Sequence, residues 1–162
     1  MERTELNRRM AQLLFPHITK TPADYEVIYP PRNLPQGAKV TRIAPSPTGF
    51  MHFGNLYGAL IDERLAHQSG GVFYLRIENT DAKREVEGAV DVILPSLNAF
   101  GLNFDEGATA GEDKGSYGPY RQRDRAEIYQ TIAKDLVERG LAYPCFCTEE
   151  DLQNLHDRQE AE

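Results

Sequence analysis

The stretch VTRIAPSPTGFMHFGNLYGAL, Val40 to Leu60, holds the residues best suited to chemistry. An apolar run stops at a turn rich in proline, serine and glycine, then restarts as a helix with His52 at its mouth. Pro45 and Pro47 stiffen the turn, and Gly49 permits a backbone approach that a side chain would block. His52 and Gly54 occupy the first helical residues, where unpaired N–H groups and the positive end of the helix dipole face outward. A phosphate placed there would meet imidazole and amides together. The turn matches neither G-x-G-x-x-G nor G-x-x-x-x-G-K-[ST], so the ordinary dinucleotide and P-loop readings lose their main support. A lone histidine at a helix start can also cap or pack it, and both readings stand at this level. A second set of reactive groups is Cys145 and Cys147 in PCFCT. A mutual disulfide at that spacing would be strained, so they read as free thiols or as two metal ligands.

The elements that must position these residues follow from periodicity. Lys39 to Ala44 reads as a first buried strand, and the apolar residues Phe53, Leu56, Tyr57, Leu60, Ile61 and Leu65 form a helical stripe ended by Ser69-Gly70-Gly71. VFYLRI, Val72 to Ile77, is a continuous apolar run of strand length, as expected of an interior parallel strand. A second helix fits Glu85 to about Phe100, with Pro95 inside it expected to kink or split it. After a Gly-rich loop, DRAEIYQTIAKDLVERG is a third helix, with Asp124 and Glu127 spaced as a capping box and Gly140 as its stop. The order β-α-β-α-(β)-α predicts an α/β fold, a Rossmann-like parallel sheet with helices on both faces. In such a sheet ligands bind past the carboxyl ends of the strands, where the turn from Pro45 to Gly54 falls.

Residues 1–38 read as an amino-terminal extension packed on the main domain: a short amphipathic helix, then KTPADYEVIYPPRNLPQG, whose prolines favour an extended path. Residues 39–140 are then the first half of the α/β domain, and residues 141–162 the start of a further, inserted domain. There a helix begins at Thr148 and reaches Glu162 without a stop signal, which suggests a piece of a larger protein. With 162 residues, 40% hydrophobic and 27% charged, the chain is expected to be globular and cytoplasmic, with no membrane span. Its net charge of −7 argues against an all-over basic surface but is silent about a local basic strip.

TRIAPSPTGFMHFGN, LRIENTD, FDEG and YGPYRQRDR, in this order and at these separations, resemble the catalytic domain of the glutamyl-tRNA synthetases, a class I aminoacyl-tRNA synthetase family. The resemblance covers roughly residues 39 to 150. His52-Phe53-Gly54-Asn55 stands where the class carries its HIGH signature, matching at the first and third positions. The resemblance implies ATP-dependent activation of L-glutamate to glutamyl-adenylate and transfer to the 3′ end of tRNA(Glu), with Mg²⁺ and no side-chain nucleophile. It implies that His52 and Gly54 serve catalysis and that Pro47, Thr48, Gly49 and Asn55 join them around ATP. It also implies that Arg42, Ala44, Ser46 and Glu78 hold glutamate, Arg42 through its side-chain carboxylate and Glu78 through its α-ammonium. Asp81 and Arg84 match positions that approach the tRNA acceptor end.

Asn79 departs from the usual R-I-E-D-T-D, which puts one local contact in doubt. Arg121, Arg123 and Arg125 could touch phosphate or pack the sheet edge. Cys145 and Cys147 could form half of a zinc site, for which the chain offers only His156 and carboxylates further on. The family's second signature, KMSKS, has no counterpart in these residues, so residues 1–162 are not expected to charge tRNA alone. A monomer is expected. The competing readings are the paralogue that attaches glutamate to queuosine in tRNA(Asp), a nucleotidyltransferase of the same superfamily, and a non-catalytic binding module. "APSPTG", where the glutaminyl relatives usually read P-P-E-P-N-G, favours the glutamyl branch.

Overall fold

The computed structural model describes residues 3–48, 51–81, 83–84, 86, 88–109 and 111–161. They fall into two compact units, Lys20–Thr131 and Met1–Thr19 with Ile132–Glu162.

The first unit is built on a three-stranded parallel sheet in the order β1 (Val40–Ile43), β2 (Val72–Leu75), β3 (Glu106–Gly107). Val40 pairs with Val72 and Ile43 with Leu75, while Tyr74 and Leu75 pair with Glu106 and Gly107. The crossovers are α3 (Phe53–Gln68) and α4 (Ala89–Ala99), giving the parallel α/β fold that the element order predicts. Phe73, Leu75 and Ile77 form one core with Ile43, with Ala59 and Ala66 of α3, and with Ile93 and Leu97 of α4. On the opposite face, Val40, Tyr74 and Arg76 border a cavity of about 250 Å³ shared with Tyr29, Arg32, Tyr117, Tyr120 and Arg125.

Several expectations are corrected. β1 is one of the two edge strands of these three, so Val40 stays 45% exposed and only Ile43 of the strand is buried. β2 ends at Leu75, and Ile77 pairs instead with Arg121 in an isolated bridge. Of the expected apolar stripe of α3, only Leu56 packs against the core. Phe53 is 77% and Tyr57 58% exposed, Leu60, Ile61 and Leu65 are also exposed, and the buried positions are Ala59, Glu63 and Ala66. The helix lies close to β1, where the Thr41 hydroxyl donates to the Asp62 carbonyl at 2.7 Å, and small alanines fit that approach better than leucines.

The helix expected from Glu85, a residue outside those described, begins at Ala89 after Gly88 and leaves Val86 outside it. Pro95 does not split it. The third helix, α5 (Ala126–Glu138), is preceded by a 3-10 turn over Gln122–Arg125. Asp124 therefore lies inside that turn rather than capping the helix, and Glu127 reaches Lys20 at 2.8 Å instead of folding back. The proline-rich leader is not wholly extended, since α2 (Pro22–Ile28) interrupts it. Thr21 caps this helix, with its N–H donating to Asp24 Oδ2 at 2.7 Å, and Pro22 occupies a first-turn position where its missing N–H costs nothing.

The second unit holds α1 (Arg3–Leu14), the part of α5 from Ile132, and α6 (Glu149–Glu160). Ala11, Ile18 and Val137 are buried, and Lys134 Nζ donates to the Ile18 carbonyl at 2.7 Å. Gly140 stops α5 as expected, with φ +72, a conformation that favours glycine. Thr148 caps α6 and accepts from the Asp151 N–H at 3.1 Å, while no residue of that helix is buried. Among the described residues no helix is long and apolar enough to cross a membrane.

Candidate active site

The β1–β2 ladder continues past the strands and fixes the turn that follows β1. The Arg76 N–H donates to the Ile43 carbonyl, Glu78 N–H to Pro45 and Val86 N–H to Pro47, at 3.0, 3.0 and 2.8 Å. Pro45 and Pro47 carry no N–H, so at these two positions the turn offers only its carbonyls. Pro47 is buried beneath the turn, whereas Ser46 and Thr48 line a cavity on its surface.

That cavity, about 410 Å³, is lined by Ala44, Pro45, Ser46, Thr48, Met51, His52, Asn55 and Ile93. A second, about 260 Å³, adjoins it at Ala44, Pro45 and Asn55 and adds Arg42, Gly54, Gly58 and Asp62. Together they bring Arg42, Ala44, Ser46, Thr48, His52, Gly54 and Asn55 to one end of the sheet, while Glu78 lines neither and reaches the site through Arg42. Gly49 lies outside the described residues.

His52 is the residue before α3, in extended backbone, and the helix start is capped by Asn55, whose Oδ1 accepts from the His52 N–H at 3.1 Å. The imidazole is exposed and faces the Asn55 N–H as the other half of this capping box, so the histidine caps the helix start while its ring stays open to solvent. A Cβ on Gly54 would stand 3.0 Å from His52 Cε1 and 3.1 Å from Nδ1. The glycine thus gives the ring room to lie across the first turn, beside the helix N–H groups. This is a physical reason for the H-x-G spacing.

At the ends of the adjacent strands, Arg42 Nη1 donates to Glu78 Oε1 at 2.8 Å. Arg76 donates to the same oxygen from Nε at 3.0 Å and from Nη2 at 2.8 Å. Arg42 also faces Asp62, whose carboxyl burial pushes up and Arg42 pulls down, with burial dominant. Sequence reasoning missed Asp62 and Arg76. The i, i+4, i+8 spacing of Gly54, Gly58 and Asp62 on one helix face, and the i, i+2 spacing of Arg76 and Glu78 in extended backbone, could have revealed them.

Asp81 and Arg84 are not part of this cluster. Arg84 Nε meets Asp81 Oδ2 at 2.5 Å across their own turn, and that guanidinium holds the Asp81 carboxyl below its usual range. Asn79 accepts from the Arg123 N–H through Oδ1 at 3.0 Å, a task a carboxylate oxygen performs equally well, so the departure from aspartate leaves that contact intact. Arg121 pairs with Asp113 at 2.8 Å, and Arg125 donates to the Tyr117 and Pro119 carbonyls, so both brace their loop. Cys145 and Cys147 are exposed, and the Cys147 N–H draws the Cys145 thiol below its usual range. Among the described residues no group of three or more histidine, cysteine, aspartate or glutamate side chains is arranged to hold a metal ion, and His156 pairs with Glu160 at 3.4 Å. Two thiols supply two of the four ligands of a tetrahedral zinc site.

Comparison with known proteins agrees with this geometry. Residues 39–162 match the family model described as tRNA synthetases class I (E and Q), catalytic domain. The chain is 64% identical over 156 residues to the glutamate–tRNA ligase of Acetivibrio thermocellus, covering 96% of this chain and 29% of that protein. It is 57% identical over 154 residues to that of Clostridium perfringens, covering 94% and 28%. Among solved structures it resembles the glutamate–tRNA synthetase of Elizabethkingia anophelis, with a TM-score of 0.68 and 38% identity over 76% of this chain and 24% of that one. It also resembles the glutamate tRNA ligase of Elizabethkingia meningosepticum in complex with its amino acid, with a TM-score of 0.66 and 39% identity, at the same coverage. The chain thus spans less than a third of the length of these relatives. By its sequence motifs, its parallel fold and the family match, this chain belongs to the class I tRNA synthetases of the glutamate and glutamine branch, within their catalytic domain.

Proposed function

We propose that this chain serves a glutamate–tRNA ligase, activating L-glutamate with ATP and passing it to the 3′ end of tRNA(Glu). The observation that carries this reading is the pairing of Arg42 with Glu78 at 2.8 Å beside the cavity that His52 overlooks. Without ligand the two charges neutralise each other. L-glutamate offers each a better-matched partner: its side-chain carboxylate for the planar fork of Arg42, its α-ammonium for Glu78. Exchange of one pair for two keeps Arg42 and Glu78 both paired in a partly enclosed site and leaves the α-carboxylate free to react. Ala44 and Ser46 border the amino-acid side, and Thr48, His52, Gly54 and Asn55 the nucleotide side.

In the first step the α-carboxylate oxygen bonds to the α-phosphorus and the bond to pyrophosphate breaks. In the second, a ribose hydroxyl oxygen of tRNA bonds to the acyl carbon and gives up its proton, and AMP leaves with the pair of the broken acyl–oxygen bond. Neither step needs a protein nucleophile. The chain supplies orientation and charge stabilisation, with the His52 imidazole and the α3 N–H groups facing the phosphate oxygens as negative charge builds on them. Mg²⁺ belongs with ATP, whose phosphate oxygens are its natural ligands, and supplies further neutralisation when bound. Asp81 and Arg84, on an exposed turn, are the proposed approach of the acceptor end. We also propose the division 1–38, 39–140 and 141–162 into extension, first half-domain and inserted domain, a cytoplasmic site of action and a monomer.

The test is charging by the protein at the length of its relatives, with labelled glutamate, ATP and separately purified tRNAs for glutamate, glutamine and aspartate. Label on tRNA(Glu), lost in His52→Ala, supports the proposal. Label on tRNA(Asp) alone would replace it with the queuosine-modifying activity. Residues 1–162 alone should form no adenylate, and detection of it by pyrophosphate exchange would overturn that part.

A further inference from the structure

Glu78 is held asymmetrically. All its side-chain hydrogen bonds fall on Oε1: one from Arg42 Nη1 and two from Arg76, at Nε and Nη2. Oε2 has no partner among the described residues. Arg42 and Arg76 differ in surroundings. Arg42 borders the candidate substrate cavity and its side chain is 35% exposed, whereas that of Arg76 is 19% exposed and borders the separate cavity with Tyr29, Tyr74 and Tyr120. Backbone hydrogen bonds anchor both ends of the Arg76–Glu78 segment, Arg76 N–H to Ile43 and Glu78 N–H to Pro45. The intervening Ile77 is also tied down, donating to the Tyr120 carbonyl at 2.9 Å and accepting from the Gln122 N–H at 2.9 Å. The Arg76–Glu78 contact therefore needs no help from Arg42.

We propose that Arg76 is a positioning residue that fixes Glu78 through Oε1 and leaves Oε2 turned out as the recognition point for the substrate's α-ammonium; this rests on the glutamate reading above. When glutamate arrives, Arg42 leaves Glu78 for the substrate's side-chain carboxylate. Arg76 stays. It keeps the carboxylate from following Arg42 and from rotating its free oxygen away, and it compensates the Glu78 charge while the ammonium approaches. Two donors from one planar guanidinium on a single oxygen fix orientation as well as charge, which a lysine ammonium cannot reproduce.

The test compares L-glutamate with glutarate, which keeps both carboxylates and lacks the α-ammonium. Binding of each to the protein at the length of its relatives is titrated by calorimetry in the wild type, Arg76→Met, Arg76→Lys, Glu78→Gln and the double variant Arg76→Met/Glu78→Gln. The wild type should prefer L-glutamate. Arg76→Met should cut that preference about tenfold or more while glutarate binding changes little, since the carboxylate contacts of Arg42 remain. Arg76→Lys should restore part of it, and the double variant should lose no more than Glu78→Gln alone, because Arg76 acts through Glu78. A general structural lesion would weaken both ligands alike. If Arg76→Met keeps the wild-type preference, or adds a further loss in the Glu78→Gln background, the positioning role is overturned. If the wild type shows no preference, or binds neither ligand, the glutamate reading itself fails and this inference with it.

Discussion

Two arginine–carboxylate pairs, Arg42–Glu78 and Asp81–Arg84, lie close in sequence and differ in almost everything else. In the first, the partners sit at the ends of neighbouring strands, 36 residues apart, and the carboxylate is tied through its backbone and a second arginine. In the second, the partners are three residues apart, close their own turn, and leave the Arg84 side chain 76% exposed. One pair exists only because β1 and β2 are parallel and in register. The other needs nothing beyond its own turn. A held pair can exchange partners for a ligand at low reorganisation cost, whereas a local exposed pair contributes little to the fold and is free to move.

The sharpest challenge to this contrast is at the anchored end. His52→Ala in the protein at family length should lower adenylate formation by about 10²- to 10³-fold, the usual effect of removing one preorganised stabilising group. Gly54→Ala should act in the same direction with His52 still present, because the added methyl enters the space of the imidazole. Pyrophosphate exchange measures both, and normal rates in either variant would remove His52 from the phosphate site. Next in size, Glu78→Gln should lower stability by about 1–3 kcal/mol, since Arg42 and Arg76 both lose their carboxylate partner. Urea unfolding reads this, and an unchanged midpoint would mean that the pair is not held as described.

A third experiment probes an anchored ion pair away from the site. His67, at the end of α3, has Nδ1 3.1 Å from Glu63 Oε1 and Nε2 3.0 Å from Asp105 Oδ2, so only the doubly protonated ring can donate to both. The Asp105 contact chiefly raises the His67 pKa above its ordinary 6.5, against the lowering effect of burial. Its stabilisation is therefore complete below about pH 6.5 and lost as pH rises through the higher folded value. Melting temperature should fall over that range in the wild type and stay flatter in His67→Asn, and parallel curves would refute it. The smallest effect belongs to the exposed turn: Asp81→Asn should leave the melting temperature unchanged within error, and a clear drop would erase the distinction between the two pairs.

Local chemistry was readable from the sequence. The H-x-G turn, the Thr148 cap and the Gly140 stop depend on residues within a few positions of one another, and the structure keeps them. The Thr21–Asp24 cap was equally local, yet the surrounding prolines pointed to an extended path and hid α2. Periodicity misled for α3 because an apolar stripe says that a face is hydrophobic, not which face the sheet will take. Close approach to β1 selected Ala59 and Ala66 and left Phe53 and Tyr57 outside.

The sequence by itself determined the order of strands and helices, the stiff turn after β1 and the histidine placed at a helix mouth, because each rests on backbone preferences and spacing along the chain. Only the tertiary structure decided that Arg42 and Glu78 meet, that Arg76 occupies the same oxygen, and that Asp62 shares the cavity. Parallel pairing brings together residues dozens of positions apart, and no local preference encodes which side chains will then share a face.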